Sequence, residues 1–141
     1  MIILDTDHIS VLQRPSPAAT TLQLRLAASF SDLFTTAITL EEQSKSWISL
    51  LGRLSSDVSS QVTCYDRMVE MFAFFAHWRV LTFSAAAADE FLQLRQQRVR
   101  IGTCDLKIAA IAIVEEATLL TANTQDFERV PNLQFENWLG G

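Results

Sequence analysis

MIILDTDHIS, residues 1–10, places an apolar run directly before two acids, Asp5 and Asp7. Residues 2–5 predict a short buried strand that ends at Asp5, and Thr6 or Asp7 is placed to cap the helix that HISVLQR indicates. A carboxylate at the end of a buried strand loses its hydration and therefore needs a positive partner. The stretch predicts a change from strand to helix that is either a simple helix cap or half of a metal site.

The chain has the size and composition of one compact domain, 1–141. It is 49% hydrophobic and 19% charged, below the roughly 25% charged fraction of an average soluble domain, so some apolar surface is expected for a partner. No stretch approaches the roughly 18 apolar residues of a membrane span, and the first residues lack signal-peptide features, so we expect a cytoplasmic protein without membrane contact. Cys64 and Cys104 are too few for a disulfide framework and are expected to be reduced thiols.

The charge balance is acidic. A net charge of −5 argues against a nucleic-acid partner held by a broad basic face. If the acids bind a cation, however, much of this negative charge is local and is neutralised there. Arg95, Arg98 and Arg100 form a basic run just before Asp105. The run is either a solvated helix end or a clamp for phosphate groups.

Strand and helix patterns alternate along the chain. Apolar runs of strand length occur at 2–5, 34–38, 79–83, 118–122 and 133–138. Helical patterns occur at 18–29, from Thr39 onward, at 61–78, at 84–99 and from about Asp105. The alternation predicts an α/β fold with a mostly parallel sheet of about five strands and helices on both faces. The helix at 61–78 carries apolar residues on nearly every face, which indicates contact with the core and with a neighbour or second subunit.

Acids follow several of these strands where a parallel sheet binds ligands, beyond the carboxyl ends of the strands. The candidates are Asp5, Glu41, Glu42, Asp105, Asn123 and Asp126. A single acid in a first helical turn is more often a cap than a ligand. Several carboxylates together would repel one another without a cation, and oxygen ligands suit Mg²⁺ or Mn²⁺. Such an ion would bind a phosphate oxygen and activate water to attack a phosphodiester.

Five sequence blocks occur in an order and spacing typical of one known family. They are LDTD at 4–7, TLEE at 39–42, IGTCDLKIAAIAI at 101–113, LLTANTQDFERV at 119–130 and FENW at 135–138. In these blocks the chain resembles PIN domains, specifically the VapC-like toxins of bacterial toxin–antitoxin pairs. The resemblance implies a three-layer α/β/α sandwich. It also implies a Mg²⁺- or Mn²⁺-dependent endoribonuclease that acts on RNA and is inhibited by a small VapB-like antitoxin protein. A homodimer is expected because the helix at 61–78 has more apolar faces than one small core can cover and similar domains pair through their helical side.

The resemblance also assigns roles to three acids. Asp5, Glu42 and Asp105 match the metal-binding acids of the family. Glu42 is favoured over Glu41 because the family places this acid three residues after the threonine at position 39.

The fourth position of the site departs from the family pattern. Many relatives have an aspartate where this chain has Asn123, so Asp126 is expected to supply the missing charge. The predicted catalytic residues are therefore Asp5, Glu42, Asp105 and Asp126, and the predicted metal ligands are these four with Asn123. The predicted substrate-binding residues are Arg95, Arg98, Arg100, Thr6 and Thr39. Asp7 is expected to cap the helix or to support the site from behind.

Two other functions stay open on the sequence alone. DTDHI at 5–9 loosely fits the opening motif of haloacid-dehalogenase-like phosphatases, but the further acidic pair that they need near the last strand is absent from TANTQDF at 121–127. The second alternative is a PIN-like binding module with a degraded active site, and Asn123 is the feature in its favour.

Overall fold

The computed structural model describes residues 1–140, which contain five strands and seven helices. In chain order these are β1 (Ile2–Leu4), α1 (Thr6–Leu12), α2 (Pro17–Ser29), β2 (Leu33–Thr36), α3 (Ala37–Arg53), α4 (Val58–Phe75), β3 (Arg79–Leu81), α5 (Ala85–Gln96), α6 (Thr103–Val114), β4 (Thr118–Leu120), α7 (Thr124–Phe127) and β5 (Gln134–Glu136).

The five strands form one fully parallel sheet in the order β3-β2-β1-β4-β5. β1 lies at the centre, with Ile3 paired to Phe34 on one side and to Leu119 on the other. The chain extends the sheet in one direction from β1 through β3 and in the other direction from β4 to β5. The strand order therefore reverses between β1 and β4, and the carboxyl ends of these two strands form the crevice where such sheets bind ligands. The predicted α/β fold is confirmed.

Each face of the sheet has its own apolar core. Ile3 points into the cluster that includes α5 and α6, whereas Ile2 and Leu4 point into the cluster of α1, α2 and α4. Successive side chains of a strand face opposite sides, so a central strand covered on both sides must be apolar throughout. In α6, Ile108 and Ile111 are fully buried together with three alanines, and these small residues let the helix lie close to α5 and the sheet. Because the sheet is buried on both faces, the residues that directly follow β1 and β4 are held in fixed positions.

Several helices begin earlier than the sequence suggested, because capping residues precede the apolar pattern. Thr36 caps α3 by accepting a hydrogen bond from the Thr39 amide at 3.2 Å, so α3 begins two residues before Thr39. Asp57 caps α4 by accepting from the Ser60 amide at 3.2 Å. As a result, α4 begins and ends three residues earlier than the predicted range 61–78.

Helix α4 has two different faces. Its inner face contributes Cys64, Met71 and Phe75 to the core. Its outer face carries a stripe of exposed residues at helical spacing, which we call the α4 stripe: Val58, Val62, Tyr65, Val69 and Phe72. The expectation of apolar groups around the helix is met, and the structure shows which of them the fold itself covers. Neither α4 nor any other helix within residues 1–140 is long and apolar enough to cross a membrane.

Candidate active site

Asp5 lies at the centre of the site because it directly follows the last residue of β1 and caps α1. Its backbone is extended, and its Oδ1 accepts a hydrogen bond from the Thr6 amide at 2.7 Å. Its Oδ2 accepts from the Thr121 hydroxyl at 2.8 Å, which connects the ends of β1 and β4. The prediction that Thr6 or Asp7 caps the helix is wrong. Asp5 takes that role because the strand ends at Leu4 and Asp5 keeps the extended backbone that a cap requires.

The Asp5 carboxylate is energetically unfavourable in the absence of a positive partner. Its pKa is raised from 3.8 to about 7, chiefly by burial and further by the negative charges of Asp7 and Asp105. The hydrogen bonds from Thr6 and Thr121 oppose this rise and do not cancel it. None of the ion pairs formed within residues 1–140 involves this carboxylate. A bound cation would therefore relieve both the burial and the repulsion.

Glu42 faces the site, whereas Glu41 faces solvent. The Thr6 hydroxyl lies 3.2 Å from Glu42 Oε1. Burial raises the pKa of Glu42, and the charges of Asp105, Glu41 and Asp7 raise it further. Glu41 instead pairs with Lys45 at 3.2 Å on the exposed side of α3. Glu41 and Glu42 point to different sides of α3 because neighbouring helical positions point about 100° apart.

Thr39 is a supporting residue in this structure. It is fully buried, and its hydroxyl lies 3.2 Å from the hydroxyl of Thr6. Thr6 itself is partly exposed, so of the two threonines it is the one that reaches the open side of the site. The Thr39 contact limits the positions that the Thr6 hydroxyl adopts in front of Glu42.

Asn123 bridges the other two acids. Its Nδ2 donates one hydrogen bond to Asp105 Oδ2 and one to Asp126 Oδ2, both at 3.0 Å. Its backbone amide donates to the Thr121 hydroxyl oxygen at 3.0 Å. The pKa of Asp105 is raised by burial and by the charges of Asp126 and Asp7, and the Asn123 hydrogen bond opposes that rise. The amide thus holds two like charges together where an aspartate would add a third.

Asp7 is tied to the turn after β4. Its Oδ2 accepts from the Ala122 amide at 2.8 Å and lies 3.4 Å from the Thr121 hydroxyl, while its Oδ1 lies 2.6 Å from Nδ1 of His8. Burial raises the pKa of Asp7, but the hydrogen bonds from His8 and Ala122 outweigh it, so the net pKa lies below the ordinary value. Asp7 is therefore an ionised carboxylate that joins two elements.

The predicted basic run lies on the surface before α6. Arg95 packs over the ring of Phe91 at 5.1 Å, and Arg98 and Arg100 are exposed. Arg129 joins them by donating a hydrogen bond to the Arg100 carbonyl at 3.1 Å. The sequence does not predict that Arg129 joins this run, because its neighbour in space, Arg100, lies 29 residues earlier in the chain.

A surface groove of about 550 Å³ opens beside the site. It is lined in part by Thr6, Gln13, Arg14, Glu42, Gln43 and Trp47. Gln13 and Gln43 bond to each other through their side-chain amides at 2.6 and 3.0 Å. Because Glu42 belongs both to the groove and to the acid cluster, a chain molecule in the groove would reach the carboxylates.

The donor set fits a hard divalent cation. It consists of carboxylate oxygens and the free Oδ1 of Asn123, which are the ligand types that Mg²⁺ and Mn²⁺ prefer. In residues 1–140, no three His, Cys, Asp or Glu side chains already form a group that could hold one ion. A bound cation would relieve the repulsion that contributes to the raised pKa values of Asp5, Glu42 and Asp105.

Comparisons with known proteins identify the family. The PIN domain family matches residues 2–133. Ribonuclease VapC2 of Rickettsia felis is 36% identical over 93 residues, which cover 63% of this chain and 69% of that protein. Plasmid stability protein StbB of Pseudomonas syringae pv. tomato is 31% identical over 132 residues, 91% of each chain. A chain in the crystal structure of VapBC2 from Rickettsia felis, bound to a DNA fragment from their promoter, superposes with a TM-score of 0.70 at 29% identity, covering 98% of this chain and 99% of that one. This chain therefore belongs to the PIN domain family, among its VapC-like members.

Proposed function

We propose that this protein is a Mg²⁺- or Mn²⁺-dependent endoribonuclease and the toxin of a toxin–antitoxin pair. The observation that carries the proposal is the convergence of Asp5, Glu42 and Asp105 at the reversal point of the sheet, with the pKa of each carboxyl raised above its ordinary value. A protein keeps such a repelling cluster at a cost to its stability, which indicates a use for it. The family assignment removes the haloacid-dehalogenase-like alternative.

The relatives support RNA as substrate and an antitoxin as partner. VapC2 of Rickettsia felis carries the name ribonuclease, and the similar chain in the VapBC2 crystal structure belongs to a two-component complex. By this similarity, the chain would cleave RNA and would bind a VapB-like antitoxin protein. An Arg or Lys of that antitoxin directed toward the carboxylates would relieve their repulsion as a metal ion does.

A divalent ion at the carboxylates would supply positive charge, polarise a phosphate oxygen and lower the pKa of a water molecule. Asp5, Glu42, Asp105 and Asp126 are the residues proposed to hold it, with Asn123 as a neutral ligand. The protein groups around them fix where these acids point. Thr121 orients Asp5 and Thr6 orients Glu42, in both cases through a hydroxyl hydrogen bond.

Binding of the RNA is assigned to two sets of surface groups. Arg98 and Arg100 lie in the segment that leads into α6, seven and five residues before Asp105, and present exposed guanidinium groups for phosphates. The groove beside Glu42 offers Trp47 for stacking on a base and amide side chains for hydrogen bonds. These features need no broad basic surface, which accounts for the acidic net charge.

Cleavage of a mixed RNA substrate by the Glu42→Gln and Glu41→Gln variants tests the proposal. Both substitutions remove one negative charge from α3, and only Glu42 contacts the site. Cleavage should fall by orders of magnitude in Glu42→Gln and stay near the wild-type rate in Glu41→Gln. Equal loss in both variants, or none in Glu42→Gln, would contradict the assignment.

A homodimer is also proposed. The α4 stripe leaves several large apolar side chains in water on one face of a long helix, with Phe72 53% and Val69 70% exposed. Pairing of two such faces would cover them by a two-fold contact. No residue of the stripe lines the groove beside Glu42, so a dimer of this kind would leave that groove accessible.

A binding module without catalysis is the second candidate, and Asn123 favours it because an amide replaces a charge that many relatives have. The bridge that Asn123 makes to Asp105 and Asp126 argues against a pure binding module, since it keeps two carboxylates in the site. RNA binding without cleavage at any Mn²⁺ concentration would select this second function.

A further inference from the structure

His8 is fully buried, and both of its ring nitrogens have partners. The backbone amide of Trp138 donates a hydrogen bond to Nε2 at 3.1 Å. An amide N–H only donates, so Nε2 carries no proton and the single imidazole proton is on Nδ1. Nδ1 lies 2.6 Å from Asp7 Oδ1 and therefore donates to this carboxylate. The surroundings fix one neutral tautomer of His8.

Asp7 connects His8 to the turn that follows β4. Its second oxygen accepts from the Ala122 amide at 2.8 Å. The residues on either side of Ala122 donate hydrogen bonds to three acids. Thr121 donates to Asp5, and Asn123 donates to both Asp105 and Asp126. A shift of this turn would move the hydrogen-bond donors of all three carboxylates together.

The segment that contains Trp138 is held by contacts that do not involve His8. The guanidinium of Arg25 lies 4.2 Å from the centre of the Trp138 ring system, and the indole N–H donates to Glu136 Oε2 at 3.2 Å. Trp138 also packs against the apolar cluster of α1, α2 and α4. The Trp138 amide therefore acts as a fixed donor, and its function toward His8 is to select the tautomer.

We propose that His8 is a positioning residue of the acid cluster: with its tautomer set by the Trp138 amide, it fixes Asp7, which holds the Thr121–Asn123 turn so that Asp5, Asp105 and Asp126 meet one divalent ion. The proposal rests on the proposed metal-dependent function. It assigns no contact between His8 and the ion or the RNA. It predicts that the Nδ1–H donor is the part of the imidazole that matters for the site.

Two amide variants separate the two halves of the imidazole. The Nδ2 of asparagine falls near the position of Nδ1, so His8→Asn keeps a donor for Asp7 and loses the acceptor for Trp138. The Oε1 of glutamine falls near the position of Nε2, so His8→Gln keeps the acceptor for Trp138 and loses the donor for Asp7. Both variants lose one hydrogen bond and the ring, so a purely structural role would affect them alike.

The experiment measures Mn²⁺ affinity by titration calorimetry, kcat and KM for RNA cleavage, and thermal stability in EDTA. Loss of an outer hydrogen bond to a metal site typically weakens binding or activity about 10- to 100-fold. We expect at least the lower figure for His8→Gln relative to His8→Asn, in Mn²⁺ affinity and in kcat, with KM and the EDTA melting temperature similar in the two variants. Nitrogen NMR of the imidazole in the wild type should show a protonated Nδ1 and a bare Nε2.

The outcomes distinguish the two proposals. Equal Mn²⁺ affinity and kcat in the two variants, or an Nε2–H tautomer in the wild type, overturns the role of His8 and leaves the nuclease intact. If the wild type binds Mn²⁺ and His8→Gln binds it more weakly than His8→Asn does, but the wild type does not cleave RNA, the positioning role is supported and the nuclease function is overturned. A wild type that binds no Mn²⁺ overturns both. If either variant fails to fold, the tautomer measured in the wild type decides.

Discussion

Replacing Asp5 by asparagine should stabilise the metal-free protein while it abolishes cleavage. The pKa of Asp5 is about 7 in the folded chain against an ordinary value of 3.8. At about 1.36 kcal/mol for each pKa unit, ionisation of this carboxyl opposes folding by at most about 4 kcal/mol. The amide removes the ionisation. Because asparagine caps helices as well as aspartate does, the hydrogen bond from the Thr6 amide is kept.

The hydrogen bonds around position 5 can adapt to the amide. The new Nδ2 would donate to the Thr121 hydroxyl oxygen, which already accepts from the Asn123 amide and has a second lone pair. Thr121 would then direct its own proton to Asp7 Oδ2, at 3.4 Å. One N–H of the new amide and the Thr121 hydroxyl then both have acceptors, so the hydrogen bond between positions 5 and 121 is replaced rather than lost.

The gain should depend on pH in a defined direction. Because the folded-state pKa of Asp5 lies above its unfolded value, the wild type loses stability as pH rises from about 4 to about 7. Below this window both states are protonated, and above it both are ionised. The difference in unfolding free energy between Asp5→Asn and wild type should therefore be near zero at pH 4, grow up to pH 7 and level off.

Urea unfolding in EDTA across this pH range measures the effect. Asp57→Asn is the matched control, because Asp57 also caps a helix but its pKa is lowered by hydrogen bonds from Ser60, so its amide should bring no gain at high pH. Saturating Mn²⁺ should narrow the difference, since a ligand at 100 times its Kd adds about 2.7 kcal/mol to the wild type alone, which offsets much of a gain of at most about 4 kcal/mol. An Asp5→Asn variant less stable than wild type at pH 8 in EDTA, or a pH-independent difference, would show that ionisation of Asp5 does not destabilise the metal-free fold.

Three further substitutions test other parts of the account. Asn123→Asp should lower metal-free stability by about 1–3 kcal/mol, because it breaks the bridge and adds a like charge, and should raise Mn²⁺ affinity in calorimetry; a more stable EDTA form would count against the bridge. Asp126→Asn should weaken Mn²⁺ binding and cleavage together, and unchanged values for both would remove Asp126 from the ligand set. Phe72→Glu should give a monomer in light scattering while Leu92→Glu, at a similarly exposed position of α5, leaves the dimer intact; a monomeric wild type at micromolar concentration would exclude the dimer.

The sequence predicts the central strand of the sheet because the hydrophobic pattern shows that this strand is buried. A strand covered on both faces must be apolar at every position, so β1 is recognisable before Asp5. Helix starts are predicted less well. Thr36 and Asp57 are polar residues that could belong to a loop, and only their hydrogen bonds to amides three residues later show that each begins a helix.

The acids of the site follow from the same reasoning, but their supporting residues do not. Asp5 and Glu42 come after predicted strands, so their meeting at one edge is expected from a parallel sheet. Thr121 contacts Asp5 across 116 residues of sequence, and Trp138 contacts His8 across 130. A buried threonine and a buried histidine have no pattern of their own in one sequence. Their roles depend on which atoms the sheet brings together.

Re-addition of Mn²⁺ to the EDTA-treated protein shows whether the carboxylates hold the ion that cleaves RNA. RNA cleavage and Mn²⁺ occupancy should be measured on the same sample as the ion is titrated. We expect no cleavage before Mn²⁺ is added and a cleavage rate that rises in step with occupancy of the carboxylate site. Cleavage that persists in EDTA, or full occupancy without cleavage, would contradict the claim that these carboxylates hold the ion that cuts RNA.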